Sequence, residues 1–242
     1  MRKLGVILFA AATVSPAQTA SAADLGTAPI YRKAAPVPAP AFNWAGSYIG
    51  GFVGGAVSAN SVTTTDPLAI SPPASYDLDA GVIAGYTGGY NLQVAPQWLI
   101  GYEGETGYIG VKGSGNYLGS AAFAKTETNG MYSAWTGRLG YIVAERSLFY
   151  VKGGAALARF NTSYNNGAAS VSGHEFVLGY AAGAGWEYAI DPKWSVKAEY
   201  LYLGFDKTFD FGPTGTAATT VNGIHTGKVG LNYKWDWSSL LR

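Results

Sequence analysis

The sequence predicts an all-β fold, an eight-stranded antiparallel transmembrane up-and-down β-barrel. Three observations predict it. Apolar and polar residues alternate with period two over stretches well beyond the five or six residues of an ordinary soluble strand. The connections between those stretches are alternately short and long. One end of every stretch, the end that meets the short connections, carries an aromatic residue.

The strand-like segments fall at roughly 43–57, 78–92, 97–111, 129–142, 148–160, 174–189, 194–206 and 223–235. In the sixth, Phe176, Leu178, Tyr180, Ala182, Ala184, Trp186 and Tyr188 share one face, and Glu175, Gly179, Gly183, Gly185 and Glu187 share the other. The seventh sets Trp194, Val196, Ala198, Tyr200 and Tyr202 against Ser195, Lys197 and Glu199. The third sets Trp98, Ile100, Tyr102 and Tyr108 against Gly101, Glu103, Glu105 and Gly107. The two faces of the first segment are similarly apolar, so its inward side is not legible.

Connections 93–96, 143–147 and 190–193 are short; 58–77, 112–128, 161–173 and 207–222 are long and rich in Ser, Thr, Asn, Gly and Pro. Short turns at one end and long loops at the other are the asymmetry of an outer-membrane barrel. At the short-turn ends stand Trp44, Tyr90, Trp98, Tyr141, Phe149, Trp186, Trp194, Tyr233 and Trp235. Rings with a polar edge favour the membrane–water boundary, so these residues are expected to form the periplasmic aromatic girdle.

Composition agrees. The chain has 242 residues with 34 Gly, 17 Tyr and 7 Trp, and 13% are charged, against about 25% in ordinary soluble domains. The lack of Cys excludes a disulfide framework and a thiolate metal site. Arg2 and Lys3, the apolar run LGVILFAAATV and Ala20-Ser21-Ala22 read as a secretory signal peptide over 1–22. Removing it leaves 14 basic and 15 acidic residues, net −1, so nothing favours nucleic acid. No later run of 18 apolar residues suggests a membrane helix, but barrel strands need only about 9–11 residues. Residues 23–42, with Pro29, Pro36, Pro38 and Pro40, read as a Pro-rich periplasmic linker that could contact peptidoglycan. The barrel then occupies 43–235, and 236–242 form a short C-terminal extension.

The polar faces place Glu103, Glu105, Arg138, Lys152, Glu187, Lys197, Glu199 and Lys228 inward, four acids and four bases, most of them at similar depth. An eight-stranded barrel is just wide enough inside to be filled by side chains, and an unpaired charge there is costly. The set therefore reads as a plug of paired charges. The competing reading is a narrow pore whose charges set selectivity by switching partners. Acid–base catalysis does not fit, because the acids alternate with bases and no cleft is implied.

His174 and His225 sit near the long-loop ends of the sixth and eighth strands. They are the candidates for a surface ligand site, for example for haem with Tyr164 or Tyr117, or else polar residues at the outer interface of strands that are not neighbours. Ser172, His174 and Glu175 supply nucleophile, base and acid types, but successive strand residues point to opposite faces. No phosphate loop or metal constellation is present, so neither an enzyme nor a cofactor is expected.

The stretch NWAGSYIGGFVGG (43–55), the Pro-rich segment before it, the Gly-Tyr pairs and VGLNYKW (229–235) together resemble the alphaproteobacterial small outer-membrane β-barrel proteins. These belong to the OmpA-like superfamily and are labelled porin family or major surface antigen. The resemblance spans about residues 20–235. It implies a barrel in the outer membrane of a Gram-negative bacterium, inserted by the outer-membrane assembly machinery among outer-membrane lipid and lipopolysaccharide. It also implies a structural role in envelope integrity and surface-loop display. The alternatives it carries are a small porin for hydrophilic solutes and binding of haem or another surface ligand. VGLNYKW resembles the closing strand, whose terminal aromatic serves as an assembly signal. Here Trp235 takes that place and Asp236–Arg242 follow it, which leaves two readings, a signal read internally or an acquired extension.

Overall fold

The computed structural model describes residues 42–66, 71–167, 170–211 and 217–235. The expected signal peptide, the linker up to residue 41 and the extension 236–242 lie outside the described residues.

Twelve strands follow in order: β1 (Gly46–Ser58), β2 (Val62–Thr64), β3 (Ala74–Tyr76), β4 (Gly81–Ala95), β5 (Trp98–Asn116), β6 (Phe123–Val143), β7 (Ser147–Asn165), β8 (Ser170–Ala189), β9 (Trp194–Gly204), β10 (Lys207–Phe211), β11 (Ala217–Val221) and β12 (Ile224–Trp235). Eight of them close a barrel in the order β1-β4-β5-β6-β7-β8-β9-β12, and β12 returns to β1. The closing pair is antiparallel, from Ser47 opposite Trp235 to Ser58 opposite Ile224, so no barrel strand leaves an open edge.

The eight barrel strands correspond to the eight predicted segments, but those from β5 to β8 run further at the long-loop end. There Thr126, Thr128 and Thr162 face inward and are buried. The hydrophobic alternation fades, but Thr favours strands and the ladders continue, reaching Asn116 opposite Phe123 and Asn165 opposite Ser170. The two remaining long connections are not irregular either. They supply β2 and β3 on one side and β10 and β11 on the other, which join as a four-stranded sheet in the order β10-β11-β2-β3.

The inward side of β1 is now settled. Tyr48, Phe52 and Ala56 are buried, and Ile49, Val53 and Val57 are exposed. Trp44 has the inward parity and is 3% exposed. It was expected in the outer girdle; it lies inside instead, packed with Leu99, Ile142, Leu148 and Ala189. Phe42, the last residue of the expected linker, stacks edge-on against it at 4.6 Å. The other girdle residues do face outward or lie partly exposed at the rim: Tyr90, Trp98, Tyr141, Phe149, Trp186, Trp194, Tyr233 and Trp235.

Trp44 also ties down a strained turn. Between β6 and β7, Ala144 and Glu145 both have left-handed backbones, with φ of 52° and 59°. Val143 pairs with Ser147, so the connection is the three residues 144–146, and two successive left-handed residues that are not Gly carry a Cβ penalty there. The Trp44 indole N–H donates to the Glu145 carbonyl at 3.0 Å. Glu145→Gly keeps that acceptor and removes the Cβ strain. It should stabilise the barrel by about 0.5–1 kcal/mol in urea unfolding from lipid vesicles; a loss of stability would show that the turn is not strained.

Candidate functional site

All eight predicted inward charges meet inside the barrel, and none of their side chains is more than 5% exposed. Lys152 on β7 is the hub. Its ammonium lies 2.7 Å from Glu103, 3.1 Å from Glu105 and 2.8 Å from Glu199, and it donates hydrogen bonds to the first two. Lys228 on β12 bridges Glu105 and Glu199 at 2.8 and 2.9 Å. Lys197 on β9 reaches Glu103 at 3.2 Å. Arg138 on β6 spans Glu187 at 2.9 Å and Glu103 at 3.5 Å. Each acid touches at least one base, and charge is balanced within the set.

Hydroxyls complete the network. Tyr48 donates to Glu103 at 2.8 Å, Tyr132 to Glu105 at 3.0 Å and Tyr150 to Glu199 at 2.7 Å. Ser195 and Asn232 donate to Glu187. The Arg138 guanidinium lies 4.0 Å from the Tyr150 ring centroid and 5.5 Å from that of Tyr48, a further stabilising contact for a desolvated cation. Glu199 Oε1 has no well-angled hydrogen bond, but two ammonium groups lie within 3 Å of it. Glycines make room for the long side chains. A Cβ on Gly89 would sit 2.5 Å from the Tyr48 hydroxyl, and one on Gly185 would sit 2.4 Å from that of Tyr150.

Glu103, Glu105 and Glu199 come close enough together to suggest a cation site. That space already holds the ammonium groups of Lys152 and Lys228, which supply the positive charge a metal would bring.

Apolar layers lie on both sides of the charges. Toward the short turns are Trp44, Leu99, Ile142 and Leu148. Toward the long loops are Phe52, Ile83, Ile109, Phe160, Leu201 and Leu203, all buried. Beyond them a chain of buried hydroxyls crosses the mouth. Thr219 bonds Thr64 at 3.1 Å, Thr64 bonds Tyr76 at 3.0 Å, Tyr76 bonds Thr126 at 2.8 Å and Thr126 bonds Thr162 at 3.1 Å. This ties the cap sheet to β6 and β7. Burial pushes the Tyr76 phenol above its ordinary pKa, so it remains a donor across the neutral range. The upper apolar layer and the hydroxyl chain were missed in the sequence. Inward Leu201 and Leu203, following Lys197 and Glu199 at the same parity, were the available signal for the former.

The predicted ligand residues do not converge. His225 on β12 pairs with Tyr202 on β9, and Tyr202 pairs with Ala182 on β8. His174 lies eight residues further along β8, about 26 Å at ~3.3 Å per residue. His225 bonds the Tyr200 hydroxyl at 2.6 Å on the outer wall. Tyr117 and Tyr164 are buried in the upper core, stacked edge-to-face at 5.5 Å, away from the outward-facing His174. A site joining these residues is therefore corrected. Ser172 and His174 share the outer face, whereas Glu175 is on the other and pairs with Lys207 at 2.7 Å. These three residues do not form a catalytic triad.

Removing one member of a buried ion pair strands its partner, at a cost of about 3–5 kcal/mol. Lys152→Met should destabilise the folded barrel by that order in urea titrations, because three carboxylates lose their shared cation. Adding Glu103→Gln should recover part of the loss. Equal stability of Lys152→Met and the parent would contradict the network.

The outer membrane protein beta-barrel domain model matches residues 7–235. A 31 kDa outer-membrane immunogenic protein of Brucella melitensis is 32% identical over 245 residues, covering 95% of this chain and 99% of that protein. A 25 kDa outer-membrane immunogenic protein of Brucella abortus is 30% identical, with 97% and 100% covered. Among solved structures, the outer membrane protein OprG from Pseudomonas aeruginosa matches with a TM-score of 0.54 at 16% identity, covering 79% of this chain and 96% of that one. With its closed eight-stranded ring, its family match over 7–235 and relatives named as outer-membrane proteins, this chain belongs to the outer-membrane β-barrel family and is an integral protein of the outer membrane.

Proposed function

We propose that the protein is a structural element of the outer membrane, a closed barrel that reinforces the envelope and displays a folded surface cap, and that it is not a solute pore. The observation that carries this reading is the filled lumen. A solute would have to pass an apolar layer, a charge-balanced network, a second apolar layer and a hydroxyl-tied cap. Passage would break several desolvated ion pairs at once, each costing kilocalories. The names of the relatives, outer-membrane immunogenic proteins, accord with exposure at the cell surface. On this reading the partners are outer-membrane lipid around the apolar band and the assembly machinery during insertion. Haem binding by His174 and His225 finds no support in their separation, and the porin reading stands as the alternative.

Conductance separates the two. The refolded mature chain, shown to be folded by its heat-dependent gel migration, should give no discrete channels in a planar bilayer. Steady channels whose conductance changes in Lys152→Ala and Glu103→Ala would overturn the proposal and make the charges selectivity elements.

A further inference from the structure

The outer wall changes character along β5 to β8. On β5 the outward positions from Trp98 to Tyr108 are dominated by exposed Trp98, Ile100, Tyr102 and Tyr108. Ten residue steps at ~3.3 Å, tilted by about 40°, give a height of about 25 Å, the height of an outer-membrane apolar band. Immediately above it the same wall becomes polar and basic. The ladders set Lys112 opposite Glu127, Glu127 opposite Asn161, and Asn161 opposite His174, a row across four adjacent strands. The next row up holds Ser114, Lys125, Ser163 and Ser172. One pair lower, Arg159 is opposite Phe176, with its guanidinium 5.9 Å from the ring centroid. Arg159 Nε is buried without a hydrogen-bond partner. An open hollow lies among Lys125, Glu127, Asn161, Ser172 and His174.

The distribution of cations makes this face distinctive. Among the described residues, Arg138, Lys152, Lys197 and Lys228 are spent in the lumen, and Arg146, Lys193 and Lys234 lie at the short-turn end. Lys207 is paired with Glu175. The other three, Lys112, Lys125 and Arg159, all stand on the outward face of β5 to β7, within one headgroup depth of the apolar band. Glu127 is the single acid among the outward positions of β5 to β8, and it is paired with Lys125 at 2.8 Å. The face has a net positive charge, and hydroxyl, amide and imidazole groups lie between its cations.

We infer that this face binds the phosphate groups of an outer-leaflet glycolipid. Its ammonium and guanidinium donors suit phosphate oxygens, its Ser, Asn and His side chains suit sugar hydroxyls, and Phe176 and Tyr108 below it suit the start of the acyl chains. Attraction of this kind scales with each basic residue held near an anionic membrane surface. The inference rests on the outer-membrane location alone and holds whether or not the lumen conducts.

The test is native mass spectrometry of the refolded mature chain in detergent micelles, with bisphosphorylated lipid A and its dephosphorylated form as probes. The parent should retain the bisphosphorylated form preferentially. The Lys112→Gln/Lys125→Gln/Arg159→Gln variant should lose at least about tenfold in apparent affinity. Glu127→Gln, which removes the one acid and frees Lys125, should gain about fivefold, an outcome that misfolding cannot produce and that tests the site even if the triple variant does not fold. Equal retention of the two lipids, or no change in either variant, would overturn the inference. So would displacement of the lipid by millimolar inorganic phosphate or by heparin, which would assign the face to a soluble anion.

Discussion

The neutralisation of eight charges inside a ring too narrow for bulk water is the constraint on which the rest of the structure depends. Four carboxylates are held by three ammonium groups and one guanidinium, with Lys152 touching three of the acids. These residues come from β5, β6, β7, β8, β9 and β12. The network therefore links six of the eight barrel strands through their side chains, in addition to the ladders that link them through their backbones. Removing water makes each contact stronger and each omission more costly, so the strand register is specified from inside as well as from the lipid side. A one-residue slip of any of these strands would put a lumenal charge into the membrane.

The other features follow from that constraint. Hydroxyls of Tyr48, Tyr132 and Tyr150 add a neutral donor to Glu103, Glu105 and Glu199 beside the lysines. Those rings fit because the facing strands carry Gly at positions such as 89 and 185. The apolar layers on either side keep the network dry. Trp44 closes the short-turn end, and the Thr64–Tyr76–Thr126 hydroxyl chain fastens the cap across the other. Stability and closure thus have one cause, and the surface cap is built on a rigid wall.

Much of this was legible in the sequence because a strand shows its faces with period two. The alternation in 174–189 and 194–206 identified Glu187, Lys197 and Glu199 as inward, and the same parity placed Trp98, Trp186 and Trp194 outward. The reading failed where the alternation is silent. Trp44 precedes a strand whose two faces are both apolar or Gly, so its parity was undetermined and its position at a strand end misled. The cap strands are three to five residues long, and β2 pairs with β11 across some 155 residues of chain, a separation no local pattern encodes. The two His residues looked related because both lie near long loops; strand stagger sets them far apart.

Lysine ammonium protons provide the most direct test of the central claim. In water at neutral pH they exchange too fast to be seen, whereas in a dry network of buried ion pairs they persist. Proton–nitrogen spectra of the mature chain in lipid nanodiscs, assigned by single Lys→Arg variants, should show persistent ammonium signals from Lys152, Lys197 and Lys228 at neutral pH, and none from Lys112 or Lys125. Absence of all three lumenal signals from a sample whose backbone amides report the folded barrel would mean that water reaches the network, and would contradict the account of a closed lumen.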